Sequence, residues 1–398
     1  MMLETWKKTY PVLLRKAGYR TAFAGKFGFD LKEKPNGKRL PLPEKDFDMW
    51  GGGPGQTNYK TAKNVSMKHY AKDYPHSTRS YGAFGRDFIL ESAESGKPFC
   101  LSISFKAPHK PATADPLDDH IYQGKTFKKP DNYGRKFGEH FSKQSKQDRQ
   151  YERFYSWDYA DKYDEVMATY HQQIYAIDVA VGMIRKALQK SGSDKNTVII
   201  YTSDNGFFCG AHGYGSKVLP YEESSRVPLV IYDPRHPNSG KKFRTSALTG
   251  NVDFAPTILR LAVLSVPKSM DGKDLMKVYE NPRVSNHSCL PLINVWGKAP
   301  THSLGIVTEK MKYLYWGYAG EGFAVAEELY NLKKDPMELS NQIGNHKYKQ
   351  SLKHLRKLYD QQLAHWKKES VPYNDYQRFS LLFDRNLSWL SEKASKWK

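Results

Sequence analysis

Residues 167–202 constrain the fold more than any other stretch. Met167, Tyr170, Ile174, Ile177, Val181, Ile184 and Leu188 recur at alternating steps of three and four. That is the apolar stripe of an amphipathic helix. Ser191-Gly192-Ser193 ends it, and residues 197–202 follow as an almost continuous apolar, β-branched run. A strand without alternation is expected to lie in a parallel sheet covered on both faces. Residues 227–232 read as a second such strand. Residues 253–264 read as a helix, with Asp253 as its N-cap and Pro256 tolerated in its first turn. Helix, buried strand, loop, strand and helix is the alternation of an α/β sandwich.

The N-terminal part fits the same plan. Leu3, Trp6, Tyr10 and Leu13 are spaced like one helix face, and Gly18 supplies a stop. Residues 19–24 read as a short strand running into Gly25-Lys26. Residues 31–80 are polar and rich in Pro and Gly, including Gly51-Gly52-Gly53-Pro54-Gly55, and read as loop. Residues 98–105 read as a strand that empties into Lys106-Ala107-Pro108-His109-Lys110-Pro111. The prolines forbid further pairing, so His109 is expected on a loop at the strand's end. Residues 112–162 are polar and irregular, and residues 112–165 are expected to set substrate choice.

After about residue 285 the texture changes. Residues 304–308 and 312–316 read as antiparallel strands, residues 328–332 as a third, and residues 348–366 as a closing helix. This divides the chain into a main domain, 1–285, and a small α+β domain, 286–398.

The formal net charge is +20, a field that attracts polyanions. The basic residues are spread along the chain, and no zinc knuckle, RNA-recognition signature or basic zipper is present, so a nucleic-acid partner is not expected. Aromatics make up 14% of the residues, which suits either sugar rings or ordinary packing. Three cysteines, Cys100, Cys209 and Cys289, argue against a disulfide framework or a structural zinc site. No run is long and apolar enough for a membrane span, and residues 1–8 lack the apolar core of a signal peptide.

In open parallel sheets, ligands collect beyond the carboxyl ends of the strands. Gly25-Lys26, residues 106–109 and Ser203-Asp204-Asn205-Gly206 fall at such ends, and Lys217 lies on the Gly-rich loop that follows. The set offers cations, a proton donor and two oxygen ligands, which suits a substrate with a dense negative head group. Taken singly, each has a plainer reading: Asp-Asn-Gly is a common turn, and the lysines could be solvated.

In order along the chain, these segments resemble the formylglycine-dependent sulfatases of the alkaline-phosphatase-like superfamily. The resemblance rests on Gly18-Tyr19-Arg20-Thr21 with Gly25-Lys26, Ala107-Pro108-His109, Thr202-Ser203-Asp204-Asn205-Gly206, and Gly210-Ala211-His212-Gly213 with Lys217. It continues through Arg226-Val227-Pro228-Leu229, Asp253-Phe254-Ala255-Pro256-Thr257, Met270-Asp271-Gly272, and Glu328-Leu329-Tyr330-Asn331-Leu332 with Asp335-Pro336. It implies an alkaline-phosphatase-like α/β/α sandwich with a mostly parallel central sheet, plus the small C-terminal α+β domain. It implies a periplasmic or secreted enzyme that hydrolyses sulfate esters, on a sulfated glycan given the charge and the aromatic loops. Asp204 and Asn205 would be ligands of calcium, or of magnesium in its place. Lys26 and Lys217 would hold the sulfate and share in catalysis. His109 would contact the substrate and act as general acid on the leaving oxygen. His212 would assist as a substrate-binding residue.

Two features depart from the family pattern. Its nucleophile, a formylglycine made in a Cys-x-Pro-Ser-Arg segment, and two aspartates that complete its metal site precede the Gly-Tyr-x-Thr segment. Neither is encoded in the 17 residues before Gly18. Gly28 stands where many members carry a catalytic His. The chain is therefore expected to be N-terminally truncated, to bind calcium weakly and to show no turnover on an aryl sulfate. An in-frame Asp-Asp strand upstream of Met1 in the genomic DNA would support a truncated reading frame; an immediate stop codon would sink it. A phosphodiesterase or phosphonate hydrolase of the same superfamily is the first alternative, and a non-catalytic anion-binding remnant the second.

Overall fold

The structure, a computed structural model, describes residues 1–371, 374–393 and 395. Two short helices open it, α1 (Leu3–Trp6) and α2 (Tyr10–Lys16), where the spacing predicted one continuous face. Pro11 is accommodated in the first turn of α2, where a missing N–H costs nothing.

Strand β1 (Arg20–Phe27) lies at the centre of a three-stranded parallel sheet, between β2 (Met49–Pro54) and β3 (Phe99–Ser104). The glycine run expected as loop is thus an edge strand. Close packing explains it: a Cβ on Gly51 would stand 2.7 Å from the Met67 sulfur and 2.9 Å from the Phe84 ring. The side chains of β1 alternate between two cores. Ala22 and Ala24 face α3 (Ser77–Glu94) through Tyr81, Phe84 and Phe88, while Phe27 packs with Trp6, Val12 and Phe47. Helix α3 was not foreseen in the sequence.

The excursion that follows is built of short turns and one helix, α4 (Arg149–Ser156). The predicted long helix is α5 (Tyr163–Lys190), packed beside α3. It leads to β4 (Ile199–Thr202). After α6 (Glu222–Ser225) comes β5 (Leu229–Tyr232), which pairs with β4 antiparallel rather than parallel. Nor are these two strands covered on both faces: Val230 is 57% and Tyr201 38% exposed. An apolar run reports β-propensity, but what covers the strand is decided by chain distant in sequence.

Asp253 holds the N-cap position of the next helix, as expected, but its side chain makes no capping hydrogen bond there. A short turn at Asn251–Asp253 precedes α7 (Phe254–Leu261), and the buried Asp253 carboxylate accepts from the backbone of Gly250 and Lys273 and pairs with His287. After α8 (Met276–Glu280) the chain forms a four-stranded antiparallel sheet: β6 (Leu290–Asn294), β7 (Ser303–Val307), β8 (Met311–Trp316) and β9 (Ala326–Asn331). Its β6 strand was not anticipated. Helix α9 (Lys349–Glu369) covers one face, packing Leu355, Tyr359 and Leu363 on Tyr313 and Leu329. The small helix α10 (Phe379–Phe383) closes the same core. The other face carries Leu314, Trp316 and Tyr330 against Phe141, Phe208, Tyr214 and Tyr221. No described helix is long and apolar enough to cross a membrane.

Candidate active site

Three strand ends and one loop build the site. Gly25, at φ +95°, is the last residue of β1 paired to β3, and a Cβ there would lie 2.0 Å from the Ser104 carbonyl oxygen. Only glycine fits. Next to it the Lys26 ammonium reaches Asp204 Oδ2 at 3.1 Å, with its side chain only 13% exposed.

Beyond β3 the chain turns through Lys106 and His109, whose N–H donates to the Lys106 carbonyl at 2.9 Å. The Tyr59 hydroxyl donates to the His109 carbonyl at 2.7 Å and anchors the loop. Both Ala107-Pro108 and Lys110-Pro111 are cis. The His109 Nδ1 meets the Lys110 carbonyl, which can only accept, so Nδ1 carries the proton of the neutral ring. Nε2 hydrogen-bonds to no protein group among the described residues, and in the neutral ring it is an acceptor.

Beyond β4 lie Ser203, Asp204 and Asn205. Asn205 Oδ1 accepts from the Lys217 ammonium at 2.8 Å. Lys217 sits between Ser216 at φ +69° and Val218 at φ +93°. A β-branched residue in that region is strained by about 1–3 kcal/mol, and surrounding bonds must hold it there. The Ser216 hydroxyl accepts from Arg153 at 2.9 Å, and the Val218 N–H donates to the Ser224 hydroxyl at 2.7 Å.

The charges respond to one another. Partial desolvation works against the Asp204 carboxylate, which is still 62% exposed, but Lys26 and Lys217 outweigh it and hold the carboxyl below its usual range. Burial lowers His109, and the ammoniums of Lys217, Lys26 and Lys106 push it the same way, only partly offset by the Lys110 carbonyl. Burial, then Lys26, lowers Lys106. Burial lowers Lys217, against the pull of Asp204. The neutral, Nδ1-protonated His109 must gain a second proton before it can act as an acid, and an arriving anion that offsets the three lysines would promote that.

The structure thus brings together Lys26, His109, Asp204, Asn205 and Lys217. It does not bring His212 to them. That ring is fully buried, with Nδ1 against the Phe137 carbonyl at 3.0 Å and Nε2 near Asn132 and Glu223. Burial opposes its protonation, but the Glu223 carboxylate reverses the effect and raises its pKa.

Two contributors went unrecognised as site residues in the sequence. Lys106 is buried, donates to the Thr57 carbonyl at 3.1 Å and lies over the Tyr59 ring. Its place beside His109 in sequence was the available signal. Asn251 donates to the carbonyls of Ser203 (3.1 Å) and Asp204 (3.2 Å), tying down the turn; nothing local marks it.

As a metal site the donor set is incomplete. Calcium takes about six to eight oxygens. Here Asp204 and Asn205 supply one anionic and one neutral oxygen group, each engaged by a lysine. Among the described residues no group of three or more His, Cys, Asp or Glu gathers in a metal-binding arrangement. The residues present do not by themselves hold a calcium ion.

Comparison with known proteins bears on this geometry. Residues 3–264 match the family model described as Sulfatase, and residues 210–365 match that of the C-terminal part of N-sulphoglucosamine sulphohydrolase. An N-acetylglucosamine-6-O-sulfatase of Bacteroides thetaiotaomicron is 27% identical over 91% of this chain and 73% of its own length. An arylsulfatase of Clostridium perfringens is 30% identical over 68% of this chain, which spans about half (54%) of that relative's length. A solved structure in complex with its substrate D-glucosamine-2-N,6-O-disulfate superposes with a TM-score of 0.72 at 24% identity, covering 92% of this chain and 83% of that one.

Proposed function

The chain belongs to the sulfatase family of sulfuric ester hydrolases, and on that premise we propose that its site binds the sulfate ester of a sulfated glycan for hydrolysis. One observation carries the reading. The ammoniums of Lys26 and Lys217 meet at the Asp204-Asn205 turn, 3.1 Å from Asp204 and 2.8 Å from Asn205, and both lie near enough to His109 to lower its pKa. Ammoniums partly withdrawn from water interact more strongly with an anion than solvated ones do. Lys26 and Lys217 bind and orient the sulfate and offset the charge on its oxygens as the ester bond breaks. His109 stands at the leaving oxygen and, once protonated on Nε2, delivers that proton to it.

Sulfatases generally use a metal ion and a formylglycine. In this reading Asp204 and Asn205 furnish two oxygens of a calcium site. An ion held there with further ligands would supply polarisation of the sulfate oxygens. The boundary near residue 285 remains part of the reading, as does export from the cytoplasm.

The first substrates to test are 6-O-sulfated glucosamines, since the Bacteroides thetaiotaomicron relative is named for such a sugar and the superposed structure holds one. Calorimetric titration of this chain with glucosamine-6-sulfate, glucosamine-6-phosphate and glucosamine decides it. Sulfate-dependent binding that is lost in Lys26→Met and Lys217→Met supports the reading. Preference for the phosphate favours a phosphonate or phosphodiester hydrolase, and binding of all three alike would overturn it.

A further inference from the structure

One unusual buried group lies outside the site. Lys312, on β8, is fully buried, and its ammonium makes ion pairs of 2.8 Å with Glu222 and with the equally buried Glu338. A lysine is almost never fully buried unless paired, and its pairing here spans two parts of the fold. Lys312 and Glu338 belong to the C-terminal region, whereas Glu222 opens α6 next to the site. Glu338 also accepts from the Glu222 backbone N–H at 2.7 Å. Beside it the Tyr221 hydroxyl contacts both oxygens of the buried Glu328, at 3.2 and 3.1 Å.

From α6 the connections run into the site. The Ser224 carbonyl accepts from the Gly206 N–H at 2.8 Å, and the Ser224 hydroxyl accepts from the N–H of Val218, the residue after Lys217. Gly206 presses on the same element: a Cβ there would stand 2.2 Å from the Glu223 carbonyl oxygen. Both the Asp204-Asn205-Gly206 turn and the strained residue beside Lys217 are thus held by α6. α6 itself is one turn long and too short to hold its own place.

We infer that Lys312 is a positioning residue for the anion site: by tying Glu222, the first residue of α6, to Glu338, it makes the C-terminal sheet set the spacing between Lys217 and the Asp204-Asn205 turn. This rests on the reading of that turn and Lys217 as an anion site. It adds that the C-terminal sheet takes part in the site through one buried ion network, rather than only covering it.

The test uses the full chain in four forms: unaltered, Lys312→Met, Glu222→Gln, and Tyr313→Phe as control. Tyr313 neighbours Lys312 on β8 but points to the opposite face, against Tyr359, and bonds Glu327. Glu222→Gln keeps the buried Lys312–Glu338 pair and is therefore expected to fold where Lys312→Met does not. Two readouts are taken where circular dichroism shows every compared form folded: calorimetric affinity for inorganic sulfate, and hydrogen exchange of the Gly206 amide.

Glu222→Gln and Lys312→Met are expected to weaken sulfate by about five- to tenfold, a typical coupling between sites. They should speed Gly206 exchange by a similar factor, while Tyr313→Phe leaves both unchanged. Unaltered affinity and exchange in Glu222→Gln, or equal losses in Tyr313→Phe, would overturn the inference. If the unaltered chain binds no sulfate yet Gly206 exchange responds as expected, the positioning role stands and the anion-site reading falls.

Discussion

Lys217 donates to Oδ1 of Asn205 across 2.8 Å, and this contact decides which way the Asn205 amide faces. An ammonium can only donate, so the amide oxygen must point at it. The Asn205 Nδ2 is then left to donate to the Gly206 carbonyl, also at 2.8 Å. The oxygen proposed for a metal is thereby engaged by an ammonium.

Asp204 is expected to titrate higher once either lysine is removed. Partial desolvation opposes its ionisation, and Lys26 and Lys217 together reverse that. The depressed carboxyl contributes stability that is present above the ordinary aspartate range and lost as pH falls through the folded value. Carboxyl NMR titration of Lys26→Met and Lys217→Met should show the Asp204 midpoint moving up in both. No movement in either would mean that the lysines do not act on it.

His109 should behave in the opposite sense to a paired histidine. Burial and three ammoniums lower its pKa, so between that value and the ordinary histidine range the unfolded chain holds more protons than the folded one. Its share of stability is present above about pH 6.5, the ordinary histidine value, and is lost as pH falls toward the folded value. Denaturant unfolding of His109→Gln from pH 8 to pH 5 is expected to show a shallower loss than the unaltered chain. Added sulfate should raise the His109 midpoint by imidazole NMR; a midpoint that falls or stays fixed counts against the cradle.

Gly25→Ala is expected to cost about 3 kcal/mol or more, because a methyl group at positive φ would be driven into the Ser104 carbonyl. Gly28→Ala, where no atom lies within 4 Å of a new Cβ, should stay within about 0.5 kcal/mol. Urea midpoints at equal slope compare the two. Similar costs at both positions would refute the close approach of β1 and β3 at this point.

Calcium should bind this chain more weakly than micromolar, because two oxygen groups already engaged by lysines fall well short of the ion's demand. Calorimetry at low ionic strength measures it. Micromolar or tighter binding would show that further donors gather around Asp204.

Much of the plan was legible in the primary chain because its signals are local. The step of three and four from Met167 to Leu188 needs only a helix to explain it, and α5 follows. The prolines around His109 force the strand to end wherever it lies in space. Asp204, Asn205, Lys26 and Lys217 stood out by their place after strands and by their order along the chain. The strand at Gly51-Gly52-Gly53 was missed because its glycines answer to Met67 and Phe84, which approach only in the folded molecule.

The sequence by itself determined the α/β alternation, the family and the side chains available for an anion. Tertiary structure decided which of them meet. It turned His212, five residues before Lys217 on the same loop, inward to Phe137, Asn132 and Glu223, set Lys106 near Lys26 and His109, and brought Asn251 to the turn at Asp204. It set β4 and β5 antiparallel and half exposed. The reason is physical: propensity and turn chemistry act over a few residues, whereas burial and charge pairing depend on distances that only packing creates.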